Sequence, residues 1–358
     1  HGVSLELWEK RGMFSREVKF YQELASRIGE VWFFTYGAQD ERFQERLGPN
    51  IRLFPKRLPV PNLLYGFLIP FIYWTQIKRA DVLRIHQMAG AIPAMIAHWV
   101  LRKPLIVRCG YQWSRFLERK GAPWIKQKIV LIFERLIYRI ATKIIVATQE
   151  DLKRVQRRYH IPTNKLNVIP NYIDTDLFKP IAVEKENSSV CFVGRLEPQK
   201  NLINLIDAAQ GIDAHLVLYG EGSLKDVLKQ RARDLGVSVS LRGRIANENL
   251  PAALNACEFF ILPSLYEGNP KALLEALACG LPVIGARVEG ITSIIEHGVN
   301  GVMCCADASS IHKTILSVLG DLKAHEELGN AARETVLRSF SLTSVIDKEQ
   351  NIMEREII

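Results

Sequence analysis

The 358 residues carry 47 Lys and Arg against 38 Asp and Glu, a formal net charge of +9, and 48% of them are hydrophobic. This is the composition of an ordinary globular chain, long enough for about two domains with separate cores, and it excludes the disordered and fibrous classes. The charge is uneven: residues 1–170 hold 29 basic against 13 acidic side chains, and residues 171–358 hold 18 against 25.

Taken in order, residues 1–9 contain no convincing strand, and an amphipathic helix that includes Arg16 follows the turn at Gly12, over residues 12–24. A doubly wound domain normally opens on a buried strand, so either a short segment precedes this sequence or the sheet lacks a strand. Residues 31–36 and 51–54 read as strands by their β-branched and aromatic content. Residues 58–77 carry no charge and lie between Lys56-Arg57 and Lys78-Arg79. Pro59, Pro61 and Pro70, with Asn62 and Gln76, leave too short a continuous apolar run for a membrane span. The segment is expected to form a surface helix dipping into lipid headgroups through Leu64, Tyr65, Phe67, Phe71, Tyr73 and Trp74, or else a helix packed into its own domain.

Strands are expected at 81–86 and 104–109, ending in His86 and in Gly110-Tyr111-Gln112. These ends should lie on the carboxyl edge of the sheet, where open α/β sheets bind ligands. A helix over 124–140 has an apolar stripe through Ile125, Ile129, Ile132, Phe133, Leu136, Ile137 and Ile140, read as facing a core, with Lys126, Lys128, Arg135 and Arg139 as a solvated face. A strand at 143–146 and a helix at 149–159 follow, and a polar linker at 184–188 separates the halves. Beyond it strands alternate with helical patterns at 189–193, 215–219, 238–241, 259–262, 282–285 and 301–304, which implies a parallel sheet with helices on both faces.

The six cysteines show neither CxxC nor Cys/His ligand spacing and are expected to be reduced core residues of a cytoplasmic protein; no secretory signal is visible. No Asp-x-Asp or His cluster suggests a metal, and no cofactor is expected. The basic first half suits an anionic partner, a membrane surface or an acidic acceptor, while no motif supports nucleic acid.

Two stretches carry chemistry. Residues 259–280 run from an apolar strand through a polar loop into a helix with Pro270 at its first position and Gly280 just past its end. The N–H groups of Gly268, Asn269 and Lys271 then lie at the positive end of a helix dipole, where a phosphate fits. Glu267 and Glu275 bracket this helix start and suit hydroxyl groups better than phosphate. Residues 189–193 form a buried strand leading into Gly194-Arg195-Leu196-Glu197-Pro198-Gln199-Lys200-Asn201, whose Arg and Lys suit a diphosphate.

The Glu267-to-Glu275 spacing, Pro263-Ser264, Glu267-Gly268-Asn269-Pro270 and the run from Glu275 to Val283 resemble glycosyltransferase family 4. The resemblance implies the GT-B fold, α/β, with two Rossmann-like doubly wound parallel-sheet domains facing a central cleft. It divides the chain into an acceptor-binding domain at 1–183, a donor-binding domain at 184–340 and a helix at 341–358 crossing back to the first. By the same resemblance Arg195 and Lys200 clamp the donor diphosphate, Glu267 faces the donor sugar and Glu275 binds the ribose. Gly194, Gly220, Arg244, Ile245, Gly268, Asn269 and Pro270 are further donor contacts.

On the acceptor side the family's Gly-rich loop would fall near Gly12. The family's His-Gly pair is here Cys109-Gly110, so His86, Arg108 or Tyr111 is expected to take the missing His's place. The reaction implied is retaining, metal-independent sugar transfer from a nucleotide diphosphate sugar; the basic first half and the aromatic segment 58–77 favour a saccharide or lipid-linked acceptor at the membrane, as in cell-surface polysaccharide or lipopolysaccharide synthesis, with peripheral membrane contact. A sugar-nucleotide epimerase and a non-catalytic binding subunit are the alternatives.

Overall fold

Mostly apolar runs, buried in the middle of each sheet and more polar in edge strands such as Ser238–Gly243, form the strands of the two larger parallel sheets. The computed structural model describes residues 4–86, 90–110, 112–320 and 322–357. The chain divides into two compact units, His1–Pro170 with Val345–Ile358, and Asn171–Ser344.

In the first unit the order is α1 (Leu5–Lys10), α2 (Phe14–Ile28), β1 (Val31–Phe34), α3 (Gln44–Leu47), β2 (Ile51–Phe54), α4 (Asn62–Ile72), α5 (Trp74–Arg79), β3 (Leu83–Ile85), α6 (Ala91–Leu101), β4 (Leu105–Cys109), α7 (Trp113–Arg119), α8 (Trp124–Ile140), β5 (Lys143–Val146), α9 (Gln149–Tyr159) and β6 (Leu166–Val168). Among the described residues β1 pairs with β2 in a two-stranded parallel sheet, and a separate four-stranded parallel sheet runs β3-β4-β5-β6. Helices α1 and α2 precede β1, with no strand among the described residues before it. A cavity of about 490 Å³ is lined by β1, β3, α2 and α6, through Phe34, Leu83, Ile85 and Ala97 among others. Thr35 lines it, and its buried hydroxyl has no partner among the described residues.

Two expectations change here. The charge-free segment is not one helix but α4, with Pro70 inside it, and α5. Tyr65 and Tyr73 are buried, donating their hydroxyls to the Pro55 carbonyl at 3.3 and 2.5 Å, whereas Leu64, Phe67 and Phe71 are exposed. Helix α8 packs through Val130, Ile137 and Tyr138, while Ile125, Ile129, Ile132 and Leu136 face solvent. The helix is apolar on two sides, and the periodicity did not distinguish which one the core takes.

The second unit continues with β7 (Ser189–Val193), α10 (Leu202–Ala209), β8 (His215–Tyr219), α11 (Lys225–Leu235), β9 (Ser238–Gly243), α12 (Leu250–Asn255), β10 (Phe259–Leu262), α13 (Lys271–Ala278), β11 (Val283–Ala286), β12 (Val302–Cys304), α14 (Ala308–Leu319), α15 (Leu322–Ser339) and α16 (Leu342–Ile357). Its six strands among the described residues form one parallel sheet in the order β12-β11-β10-β7-β8-β9. Phe192, Phe259, Phe260 and Ile284 are fully buried in its core.

The division between units falls at 170/171 and not at 183/184. The connecting segment is packed into the second unit: Ile173 bridges Ser341, Phe178 joins the core, and Arg333 donates to the carbonyls of Thr175 and Ala278 at 3.0 and 2.5 Å. The second division lies inside α16, whose residues from Val345 onward belong to the first unit. All six cysteines are free and five are buried; Cys305 is exposed.

Candidate active site

The strand order of the second unit reverses between β7 and β10, its first and fourth strands. Such a switch point leaves a crevice at the carboxyl ends of the two strands. The two loops that leave those ends are the ones that carry Arg195, Lys200 and Glu267.

Backbone and amide hydrogen bonds join the loops. Leu265 N donates to Gln199 O at 2.9 Å, and Gln199 Nε2 donates to Tyr266 O at 2.9 Å. Asn201, left-handed at φ +58°, donates its Nδ2 to Pro263 O at 3.0 Å and to Ala306 O at 2.7 Å. Across this frame Lys200 Nζ meets Glu267 Oε1 at 2.5 Å, with side chains only 13 and 8% exposed. A lysine ammonium has three donors, so this pairing leaves capacity for phosphate oxygens. Arg195 is exposed, its guanidinium 3.4 Å from Gln199 Oε1.

Two glycines, after β8 and β11, let those segments approach the two loops closely. A Cβ on Gly220, at φ +147°, would stand 1.8 Å from Gly194 O. One on Gly290, at φ +90°, would stand 2.1 Å from Gly268 O. Neither backbone conformation suits an L side chain. Gly220 N also bonds Gly243 O at 2.7 Å, which fixes the start of the segment holding Arg244, exposed, and Ile245, packed on the core.

Helix α13 begins at Lys271, so Pro270 is its N-cap rather than its first residue, and no side chain caps the helix. A helix start whose N-cap residue offers no side-chain acceptor is where an anion can be taken up. Asn269 faces the other way: its Oδ1 accepts from Asn171 N at 2.8 Å, and its carbonyl accepts from Asn171 Nδ2 at 2.7 Å. Glu275 is buried, and Gly280 follows the C-cap at φ +72°. Burial, then the nearby Glu275, pushes the Cys279 thiol up to about 12. Ser264, in the Glu267 loop, is fully buried with no partner for its hydroxyl among the described residues.

The residues expected on the acceptor side lie in the first unit. Gly12 turns the chain between α1 and α2 at φ +66°. Arg16 pairs with Glu17 at 3.2 Å. His86 Nδ1 lies 2.7 Å from the Tyr21 hydroxyl, and its Nε2 is 3.6 Å from Glu17 Oε2. Burial lowers its pKa to about 4, Arg84 and Arg108 add to this, and Glu17 opposes it. Arg108 is not turned out as a sugar contact. It pairs with Glu349 of α16 and donates to Pro170 O at 3.0 Å. Glu349 also binds Arg84 at 2.7 Å. Burial pushes the Glu349 carboxyl up, but the two guanidiniums outweigh it and hold it below the usual carboxylate value. Tyr111 lies outside the described residues.

Of the expected donor-side residues, Gly194, Arg195, Lys200, Glu267 and Gly268 lie on the two switch-point loops, Gly220 packs on Gly194, and Arg244 and Ile245 follow the edge strand β9. Of the acceptor-side ones, Arg108 belongs to a largely buried ionic cluster and the half-buried His86 lies beside it. The sequence reading did not single out Gln199, Asn201 or Glu349. Their partners lie up to 265 positions away, and no local pattern marks them. Among the described residues no three His, Cys, Asp or Glu side chains are grouped to hold a metal ion.

Residues 18–177 match the family described as Glycosyltransferase Family 4, and residues 174–335 match Glycosyl transferases group 1. The chain belongs to this glycosyltransferase family. Its similarity to an Escherichia coli UDP-Gal:alpha-D-GlcNAc-diphosphoundecaprenol alpha-1,3-galactosyltransferase is 26% identity over 298 residues, 77% of this chain and 75% of that protein. A Campylobacter jejuni alpha-1,4-N-acetyl-D-galactosaminyltransferase, named for an undecaprenol-linked substrate, is 27% identical over 242 residues, 65% of this chain and 64% of that protein. The crystal structure of HepE from Anabaena in complex with UDP has a TM-score of 0.78 to this glycosyltransferase at 19% identity, covering 94% of this chain and 96% of that one. The fold is therefore GT-B, with two Rossmann-like α/β units.

Proposed function

We propose that this glycosyltransferase moves a sugar from a nucleotide diphosphate sugar to a saccharide or lipid-linked acceptor, with retention of anomeric configuration, in the synthesis of a cell-surface polysaccharide or glycolipid. The observation that carries the reading is the Lys200–Glu267 pair at the switch point, 2.5 Å apart and nearly enclosed, on two loops of which one leads into α13. In such a transfer the barrier is departure of the nucleoside diphosphate from an oxocarbenium-like carbon. Lys200, Arg195 and the helix-start N–H groups would stabilise the charge that grows on the leaving oxygen. Glu267 would hold Lys200 in place and present its remaining lone pairs to sugar hydroxyls, and Glu275 would serve the ribose. The second unit would take the donor and the first unit the acceptor. A lipid-linked acceptor is supported by the relatives, two of which are named for undecaprenol-linked substrates.

The test is thermal unfolding against the diphosphates of uridine, guanosine and adenosine and their sugars, with Lys200→Ala alongside. A ligand at a hundredfold over its Kd stabilises by about 2.7 kcal/mol. A shift with one nucleotide that the variant loses supports the reading, and no shift with any of them overturns it. The anomeric coupling of the product, read by NMR, decides retention separately from transfer.

A further inference from the structure

Helix α8 carries on its outer side a line of apolar residues that the fold leaves uncovered. Ile125, Ile129, Ile132 and Leu136 are spaced by four, three and four positions, so they form one stripe along the helix. They are between 47 and 69% exposed. From Ile125 to Leu136 the stripe runs about 17 Å at the α-helical rise. Lys128, Arg135 and Arg139 follow Ile125, Ile132 and Leu136 by three positions and are exposed along one edge; Lys126 is exposed too. The one acid of the helix, Glu134, is buried, accepting from Trp113 N at 2.8 Å and Ser114 N at 3.2 Å. The exposed surface of α8 is therefore apolar and cationic only.

Its neighbours extend the same character. Helix α6 packs against both α8 and α4. In its last turn Trp99 is 78% exposed, and α4 exposes Phe67 and Phe71. Residues 56–139, which include these helices, contain 15 Lys and Arg against 3 Asp and Glu. An apolar stripe edged by cations meets both requirements of an interfacial helix: side chains that enter the acyl boundary and charges that meet anionic headgroups. A protein partner would bring its own acids to match this surface, whereas a bilayer supplies charge and hydrocarbon together over a continuous plane. Among the described residues no helix is long and apolar enough to cross a membrane.

We propose that the α8 stripe, with the exposed ends of α4 and α6, is the face by which this glycosyltransferase lies on an anionic lipid bilayer. The proposal rests on the lipid-linked acceptor reading only for its purpose, since docking is measured without donor or acceptor. The experiment is co-sedimentation of the full chain with vesicles of phosphatidylcholine alone or mixed with phosphatidylglycerol, whose anionic headgroups supply the negative surface potential that attracts Lys and Arg. Ile129→Glu/Ile132→Glu and Lys128→Glu/Arg135→Glu are compared with the unaltered chain. All four side chains are exposed, so circular dichroism should show both variants folded.

The expected result is binding to the anionic vesicles that falls at least tenfold in the apolar variant and roughly thirtyfold in the charge variant, since each cation at such a surface contributes about fivefold. Absence of binding to anionic vesicles, or equal binding by all three proteins, overturns the proposal. So does a dimer in sedimentation equilibrium that the apolar variant abolishes without any vesicle binding, which would assign the stripe to a second copy of the chain. Nucleotide-induced thermal stabilisation, retained in the variants, keeps this outcome separate from the failure of the transferase reading.

Discussion

Lys200 is held by one carboxylate in a nearly enclosed site, and this determines what its removal does. Lys200→Ala takes away a preorganised cation, which typically costs about 3 kcal/mol, near a hundredfold in kcat. It also leaves Glu267 as a buried acid beside the proposed diphosphate position, and a buried acid without its partner destabilises the fold as well. Lys200→Ala/Glu267→Gln separates the two effects: its melting temperature should return toward that of the unaltered chain while its kcat stays low. Recovery of both would reduce Lys200 to a structural role. His86 makes a different prediction. Its folded pKa of about 4, set first by burial, lies below the usual value of 6.5. The unfolded chain therefore binds the extra proton over that interval, so this contribution to stability is complete above pH 6.5 and lost as pH falls toward 4. About a third of the ring meets solvent, so screening leaves roughly 1–2 kcal/mol. Unfolding in urea from pH 7 to pH 4 should show a slope that His86→Gln flattens; an unchanged slope would assign the acid sensitivity elsewhere.

At the scale of elements, the middle of α16 is joined to β3 and β4 through one carboxylate between two guanidiniums, Arg84 and Arg108 with Glu349. Glu349→Ala leaves two buried cations uncompensated and should destabilise by about 3–5 kcal/mol, whereas Arg84→Met in the same cluster should cost less, because one ion pair remains. Equal losses in urea titration would show that the cluster acts by packing alone. Nothing local in the sequence announces it. Arg84 and Arg108 sit in apolar runs and Glu349 in an ordinary helical pattern, so only the fold reveals that they meet. The inner strands of the second unit were legible because burial on both faces makes them nearly unbroken apolar runs, unlike the alternating edge strand β9; those at 189–193, 215–219 and 259–262 lie where the residues put them. The switch-point loops were legible as well, since their residue types are dictated by close backbone approach and phosphate chemistry. Helix α8 was legible only in part, for the converse reason. Of the stripe read as facing a core, Phe133, Ile137 and Ile140 pack inward with Val130 and Tyr138, while Ile125, Ile129, Ile132 and Leu136 lie outside, because apolar residues on two sides satisfy the same 3.6-residue period.

Over the whole molecule, the proposed donor contacts all belong to one unit. Arg195, Lys200, Glu267, Glu275 and the start of α13 lie within Asn171–Ser344, and their supporting hydrogen bonds, from Asn171 to Asn269 and from Asn201 to Pro263 and Ala306, close inside the same unit. A nucleoside diphosphate should therefore be bound by a site already assembled without the first unit's side chains. Amide hydrogen exchange with and without the stabilising diphosphate tests this. Slowing should concentrate at 194–201 and 263–272, extend to 220–222 and 243–245 through the Gly220 contacts, and leave β3, β4 and the cavity-lining segments at their original rates. Ligand that binds only the native state raises the free energy of every opening that destroys its site, by an amount set by concentration over Kd, and leaves openings elsewhere untouched. Equal protection of both units would mean that donor binding is coupled to the first unit, and the acceptor-side residues would then contribute to donor affinity. Protection confined to the second unit would mean that the negative half of the chain binds the anionic donor through a few fixed cations, while the +16 of residues 1–170 remains available to the acceptor and the bilayer.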